Sequence, residues 1–519
     1  MPLVRGRRAA AATADQLATQ AAMTIYAKGG NAVDAAIAAN AAMAVVGPHL
    51  CGLGGDLFAV VHSPGGEVVG LNASGRAGSG ASAAAMRSEG MTEMPLRHDI
   101  RTVTVPGCVN GWSALHERFA TLPLDELLAP AIALAAGGFP ASPLLVGSLS
   151  ALDEEGRAQL VELVDQATAP GALVRRPGVA FTLQAIARGG REAFYDGAFG
   201  EGLVALGGGL FRDADVIDSA ADWVDVLRAE AFGVELCTIP PNSQGYLTLA
   251  VAALCDTLGL PDDPESSEWA HVMIEATKAA SKDRPAVLHE GADGDALVAA
   301  ALARAGEIDR GRASDLATAG ADGDTTYLCT ADSSGLAVSL IQSNASGFGS
   351  WIVEPTTGIN LHNRGLGFSL VEGHPAELAP GRRPPHTLSP ALALRGGQLA
   401  AVLGTMGGDA QPQIVAQLAA RLFHHGQSPA AAVAAARWTV RGRVTGFDTW
   451  MAARPPEVAI ESGAPDSWAA GLAEVGHEVV TVPAFDSAFG HAHVIAVEPG
   501  GGFSAAADPR ARVGSAAAI

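Results

Sequence analysis

A threonine opening a strand-like run, in Gly323-Asp324-Thr325-Thr326-Tyr327, is a hydroxyl that could attack a carbonyl, yet taken alone it is ordinary. Threonine after a Gly/Asp turn follows from β-propensity and turn chemistry. The pentapeptide GADGD occurs at 291–295 and again at 320–324, and only the second copy precedes Thr-Thr and a strand. Other reactive patterns are missing from the sequence. No G-x-x-x-x-G-K-[ST] phosphate loop is present, and His116-Glu117 lacks the second histidine of H-E-x-x-H. No serine sits in G-x-S-x-G, and the glycines of Cys51–Asp56 do not spell G-x-G-x-x-G. His424-His425 and His491/His493 read as surface or strand residues, so neither a metal nor a cofactor is expected. A side-chain base such as His386 acting on a serine would be another route to acyl transfer, but no motif frames it.

What singles out Thr325 is its company. GGNAVDAA (Gly29–Ala36), PHLCGLGGDLF (Pro48–Phe58), VPGCVNGW (Val105–Trp112), DTTYLCTAD (Asp324–Asp332), NASGFGS (Asn344–Ser350), PGRRPPHTLSP (Pro380–Pro390) and GTMGGDAQPQ (Gly404–Gln413) follow in order. Together they resemble the γ-glutamyltranspeptidase family of N-terminal-nucleophile hydrolases. The match spans nearly the whole chain and is weakest over 140–320. The resemblance implies a four-layer αββα sandwich made from a precursor that cuts itself between Asp324 and Thr325. Portions 1–324 and 325–519 would then form one intertwined unit, a heterodimer of the chain's own fragments, with a dimer of such pairs left open. In the precursor the Thr325 hydroxyl would attack the preceding carbonyl and turn the amide into an ester that water opens. Afterwards the same hydroxyl is the nucleophile and the freed α-amine the base. An unperturbed α-amine titrates at about 7.7–8.0, so part of it is neutral near pH 7.

Further positions carry over singly. Ser343 matches the hydroxyl residue beside the nucleophile, and Asn344 next to it is a substrate-binding position. Gly407 and Gly408 match the pair whose N–H groups form the oxyanion hole, although a Gly-Gly is also a tight turn. Arg76 matches the arginine that clasps the substrate carboxylate; its plain alternative is a surface salt bridge. The γ-glutamyl pattern fails at one point. In Asn363–Phe368 (NRGLGF), Gly367 stands where the family has the acid that meets the substrate's α-amine, and Arg364 replaces a neutral amide. His386-Thr387 replaces a pair of serines. Loss of an anion and gain of a cation point to an acyl group with a carboxylate and no free α-amine, such as an oxamate- or glutaryl-type monoamide. That is closer to the family's amidohydrolase and acylase branch, with hydrolysis expected rather than transfer. The alternatives are a γ-glutamyl transpeptidase or glutathione hydrolase proper, and an uncleaved, non-catalytic relative.

The positioning elements can be read from periodicity. Residues 13–28 read as a helix ended by Gly29-Gly30, and Asn31 caps a second one running to Val46. LFAVVH and EVVGLN, split by Ser63–Gly66, read as a hairpin. Residues 107–290 read mainly as helices, clearest at 124–137, 179–189, 244–258 and 267–281. Residues 288–324 read as an exposed segment with a helix near 296–305. From Thr325 onward TTYLCTA, LAVSLIQ, ALALR, LAAVLG, HEVVTV and HVIAVE read as strands, with helices at 412–425 and 428–437. This alternation predicts α/β layers with neither half complete alone.

Bulk composition sets the outer limits. In 519 residues, 48% hydrophobic and 17% charged, a large core is affordable. Lys+Arg 33 against Asp+Glu 54, a net charge of −21, opposes a nucleic-acid partner. Five scattered cysteines and no apolar run long enough for a signal or a membrane span lead to the expectation of a soluble, cytoplasmic enzyme acting on a small amide.

Overall fold

The computed structural model describes residues 3–314, 325–441 and 457–519. Two seven-stranded sheets, antiparallel at every neighbouring pair, lie face to face. One runs Ser515–Ala518, Ala9–Thr13, Thr326–Asp332, Ala337–Ser343, Asp56–His62, Val68–Ala73, Asp222–Asp225. The other runs Val4–Gly6, Phe503–Ala507, Ala492–Val497, Gln398–Thr405, Ala391–Arg395, Val234–Thr238, Leu227–Ala231. Both draw strands from before and after Thr325.

Alternation within the strands builds the layers. Phe58, Val60, Tyr327, Cys329 and Ile341 turn inward to meet Leu392, Val402 and Ile495 of the second sheet. Leu57, Ala59, Val61, Leu328 and Leu340 turn outward against helices Gln16–Ala27 and Ala32–Val46. A strand covered on both faces has no polar side to show, which is why DLFAVVH and TYLCTAD are buried throughout. Helices Tyr246–Leu258, Ser267–Ser281 and Gln411–Ala419 cover the second sheet, completing αββα. Gly404 admits the Tyr327 ring between the sheets: a Cβ there would lie 2.4 Å from the ring. Among the described residues no helix is long and apolar enough to cross a membrane.

Local signals succeed where they are local. Asn31 caps Ala32–Val46 in a capping box with Asp34, and Asp56–His62 pairs with Val68–Ala73 as a hairpin. Three readings need correction. The helix expected over 13–28 starts at Gln16, capped by Asp15, and Ala9–Thr13 is instead a central strand. An alanine run has no strand propensity of its own; strands on both sides and helix Gln16–Ala27 hold it extended. The span 107–290 also contains Asp222–Asp225, Leu227–Ala231 and Val234–Thr238, whose acidic and alanine residues hide their alternation. Phe503–Ala507 and Ser515–Ala518 are strands the pattern did not announce, for the same reason as Ala9–Thr13.

Candidate active site

Strand register assembles the site. Thr326 pairs with Gln342, so Thr325 stands opposite Ser343, and Ser343 in turn pairs with Asp56. Cross-strand neighbours share a face, so three side chains meet in a row at one end of the sandwich. Thr325 Oγ1 donates to Ser343 Oγ at 3.0 Å, and both residues are fully buried. Ser343 Oγ also accepts the Ala345 N–H at 2.8 Å. Beyond Ser343 the chain turns through Ala345, Phe348 and Trp351, all with positive φ, which swings the NASGFGS loop off the sheet.

Arg364 bridges the row to the neighbouring loop, with Nη2 3.5 Å from Ser343 Oγ and Nη1 3.3 Å from Thr387 Oγ1. Burial lowers its pKa to about 10 against the pull of Asp56 and Asp409, so it remains a cation at neutral pH. Asp56 is an anchor that the sequence did not mark out as functional. Its Oδ1 accepts the N–H groups of Gly75 at 3.0 Å and Gly107 at 3.3 Å, and its Oδ2 lies 3.2 Å from His386 Nε2. Burial raises the pKa of this carboxyl, but His362, His386 and Arg364 outweigh it and hold the group ionised. The only hint in sequence was an acid at the head of an apolar strand, straight after Gly-Gly.

His386 Nδ1 accepts the Leu388 N–H at 3.3 Å, so the proton sits on Nε2 and points at Asp56. Burial pushes its pKa down to about 3. In this structure both nitrogens are engaged, and among the described residues no hydrogen bond joins His386 to a serine hydroxyl.

Gly407 and Gly408 follow strand Gln398–Thr405 with φ of 129° and 52°, a turn that favours glycine at both positions. No acceptor among the described residues takes up either N–H. Gln244 Nε2 donates to the carbonyls of Gly408 at 3.0 Å and Thr387 at 2.9 Å, linking the turn to the Arg364 side. Beneath it, Asp409 forms a buried ion pair with Arg284. Asp409→Asn removes one anionic partner of a fully buried guanidinium and is expected to lower the melting temperature.

The remaining expected residues are placed as follows. Asn344 lies in the site's wall, its side-chain Nδ2 donating to the Pro48 carbonyl at 3.1 Å. Arg76 is half-exposed and shared between Glu290 at 2.7 Å and Asp222 at 3.3 Å; no hydrogen bond joins it to Thr325, Ser343 or Arg364. Gly367 is packed so closely that a Cβ would lie 2.3 Å from the Pro385 carbonyl oxygen. Asp324 lies outside the described residues. The one His/carboxylate cluster among the described residues that could hold a metal is His271, Glu275 and His477. It already holds a cation, the Lys278 ammonium, 2.8 Å from Glu275 Oε1 and 3.3 Å from His477 Nδ1.

Buried histidines make the fold acid-sensitive. Burial holds His49, His386, His477 and His491 down at about 3 and His493 at about 4, from an ordinary 6.5. Below pH 6.5 the unfolded chain takes up protons that the folded chain refuses, so stability falls steadily from there toward pH 4. Asp15, raised to about 6 by burial, and Glu162, also raised by burial, work in the opposite sense but are outnumbered by the buried histidines. A melting temperature that stayed level between pH 7 and 4.5 would contradict this.

Known proteins share this chain's sequence and fold. The family model described as Gamma-glutamyltranspeptidase matches residues 18–518. An oxamate amidohydrolase proenzyme of Klebsiella pneumoniae is 36% identical over 514 residues, covering 95% of each chain. The glutathione hydrolase-like YwrD proenzyme of Bacillus subtilis is 33% identical over 521 residues, also covering 95% of each. Among solved structures, the cephalosporin acylase from Bacillus halodurans superposes with a TM-score of 0.89 at 31% identity, covering 100% of this chain and 97% of that one. The chain therefore belongs to the gamma-glutamyltranspeptidase family, as an enzyme on the side of its amidohydrolases and acylases.

Proposed function

We propose that the chain cuts itself between Asp324 and Thr325 and then uses Thr325 to hydrolyse an amide whose acyl part ends in a carboxylate. The observation that carries this is the buried Thr325–Ser343 hydroxyl pair with the Arg364 cation beside it. In the first step Oγ1 bonds to the Asp324 carbonyl carbon and the C–N bond breaks, leaving an ester and a free α-amine. Water opens the ester, and Asp324 departs as a carboxylate. In turnover the α-amine takes the Oγ1 proton as Oγ1 attacks the substrate amide, then delivers it to the leaving amine; water releases the acyl group. Gly407 and Gly408 N–H groups hold the oxyanion, a role worth about 10²–10³ in rate per donor. Fragments 1–324 and 325–519 stay together because each sheet interleaves strands from both. Five buried, unpaired cysteines suit a reducing, cytoplasmic setting.

Arg364 and Gly367 support the acyl class. A cation next to the reacting hydroxyls suits a second carboxylate, as in the oxamate that names one relative. An acid at 367, which would meet an α-amine, has no room here. Hydrolysis of γ-glutamyl amides is the second reading, favoured by the glutathione hydrolase-like relative. Comparing glutaryl- with γ-glutamyl-p-nitroanilide separates the two, and a clear γ-glutamyl preference would overturn the first.

A further inference from the structure

A cavity of about 420 Å³ opens against Gly407, walled by His49, Leu50, Leu144, Met406, Ser487 and Arg512. Two of its walls are continuous with the candidate catalytic strands. The Leu50 carbonyl accepts the N–H of Asn344, the residue after Ser343, at 3.1 Å. Met406 and Gly407 form the turn that ends strand Gln398–Thr405.

Strand order sets the cavity's side. Along the first sheet, Ser343 and Asp56 lie on one side of Thr325's strand, with Arg364 and His386 above them. On the other side come Ala9–Thr13 and Ser515–Ala518, and Arg512 stands just before the latter. In the second sheet Ser487 precedes Ala492–Val497, which flanks Gln398–Thr405 on the side away from Ala391–Arg395 and His386. An amide with its oxygen at Gly407/Gly408 and its acyl carboxylate toward Arg364 therefore directs its nitrogen toward the cavity.

The cavity also carries an unmet polar group. His49 is 3% exposed, and neither ring nitrogen has a hydrogen-bond partner among the described residues. Burial, with His491 nearby, keeps the ring neutral, so it offers one donor and one acceptor. Buried polar atoms in native proteins are nearly always satisfied, and a ligand group would satisfy this one. Leu50, Pro143, Leu144 and Met406 give the cavity one apolar side, while His49, Ser148 and Ser487, with Asp486 and Arg512 of opposite charge, make the rest of its lining polar.

We propose that this cavity receives the amine half of the substrate: an amine with an apolar body and one hydrogen-bonding substituent that pairs with His49. This rests on the amide-hydrolase reading above and extends it to the leaving group, for which room of this size admits a drug-sized fragment.

The test is a panel of glutaryl amides that share the acyl group and differ in the amine: ammonia, aniline, carboxamide-substituted aniline and naphthylamine. The value of kcat/KM reports acylation, where the amine is still attached. Leu144 is half-buried, so changes there leave the core intact. Leu144→Trp, which fills the cavity, is expected to lower the anilide-to-primary-amide ratio of kcat/KM at least tenfold. Leu144→Ala is expected to raise the naphthylamide-to-anilide ratio, and His49→Phe to erase the preference for the carboxamide substituent. Ratios within twofold of the parent in Leu144→Trp and Leu144→Ala, with unchanged melting temperatures, would overturn the cavity assignment alone. A parent protein inactive toward the whole panel would overturn the amide-hydrolase reading and the cavity assignment with it.

Discussion

Thr325→Ala should give a single chain near 52 kDa on a denaturing gel and no measurable amide hydrolysis, where the parent should give two fragments. Losing a nucleophile of this kind typically costs on the order of 10⁴–10⁶ in rate. The expectation is specific to one hydroxyl. Thr326 is equally buried, but successive side chains on a strand face opposite ways, so its hydroxyl points away from Ser343. Thr326→Val should therefore still yield two fragments, and Thr325→Ser should yield them more slowly than the parent. Ser343→Ala removes the acceptor of the Thr325 hydroxyl and should slow both cleavage and turnover without abolishing either. Mass-spectrometric identification of the new N-terminus decides the matter. Two fragments from Thr325→Ala, or a parent cut elsewhere than before Thr325, would sink the assignment.

Arg364→Gln carries the second large effect. A buried guanidinium that meets a substrate carboxylate is worth about 3–5 kcal/mol when removed, on the order of 10²–10⁴ in kcat/KM. Glutaryl-p-nitroanilide should lose that factor, while an uncharged acyl analogue such as butyryl-p-nitroanilide should change far less. The selectivity ratio, not the absolute rate, is the readout, because Arg364 also borders Ser343 and Thr387. Arg364→Lys keeps the charge without the fork and should fall between the two. Arg76→Gln serves as the counter-test. Its guanidinium, half-exposed between Glu290 and Asp222, supports a surface network worth at most about 1 kcal/mol. If Arg76→Gln collapses the glutaryl preference and Arg364→Gln does not, the carboxylate belongs to Arg76.

Gly367 bears on attempts to convert the specificity. Gly367→Asp would restore the acid of the γ-glutamyl pattern on paper, yet its Cβ would collide with the Pro385 carbonyl. The departure at 367 is thus built into the backbone path of 363–387, and a single substitution there is expected to destabilise the chain before it adds any γ-glutamyl activity.

How much of this was legible beforehand varies by residue. By itself the sequence determined the elements whose causes are local: the Asn31/Asp34 cap, the Ser63–Gly66 hairpin, the buried apolar strands and the glycine turn at 407–408. Its ordered blocks also determined the family, and Arg364 and Gly367 marked a departure from the family's γ-glutamyl residue pattern. Only the tertiary structure decided that Ala9–Thr13 is a central strand, since alanine takes its conformation from what packs around it. Only the register of three strands placed Thr325, Ser343 and Asp56 in one row. The two hydroxyls are 18 residues apart in sequence, and Asp56 and His386 are 330 apart. Spacing along the chain carries no information about such pairs, because hydrogen bonding across sheets and burial between them determine which side chains meet and which proton each one holds.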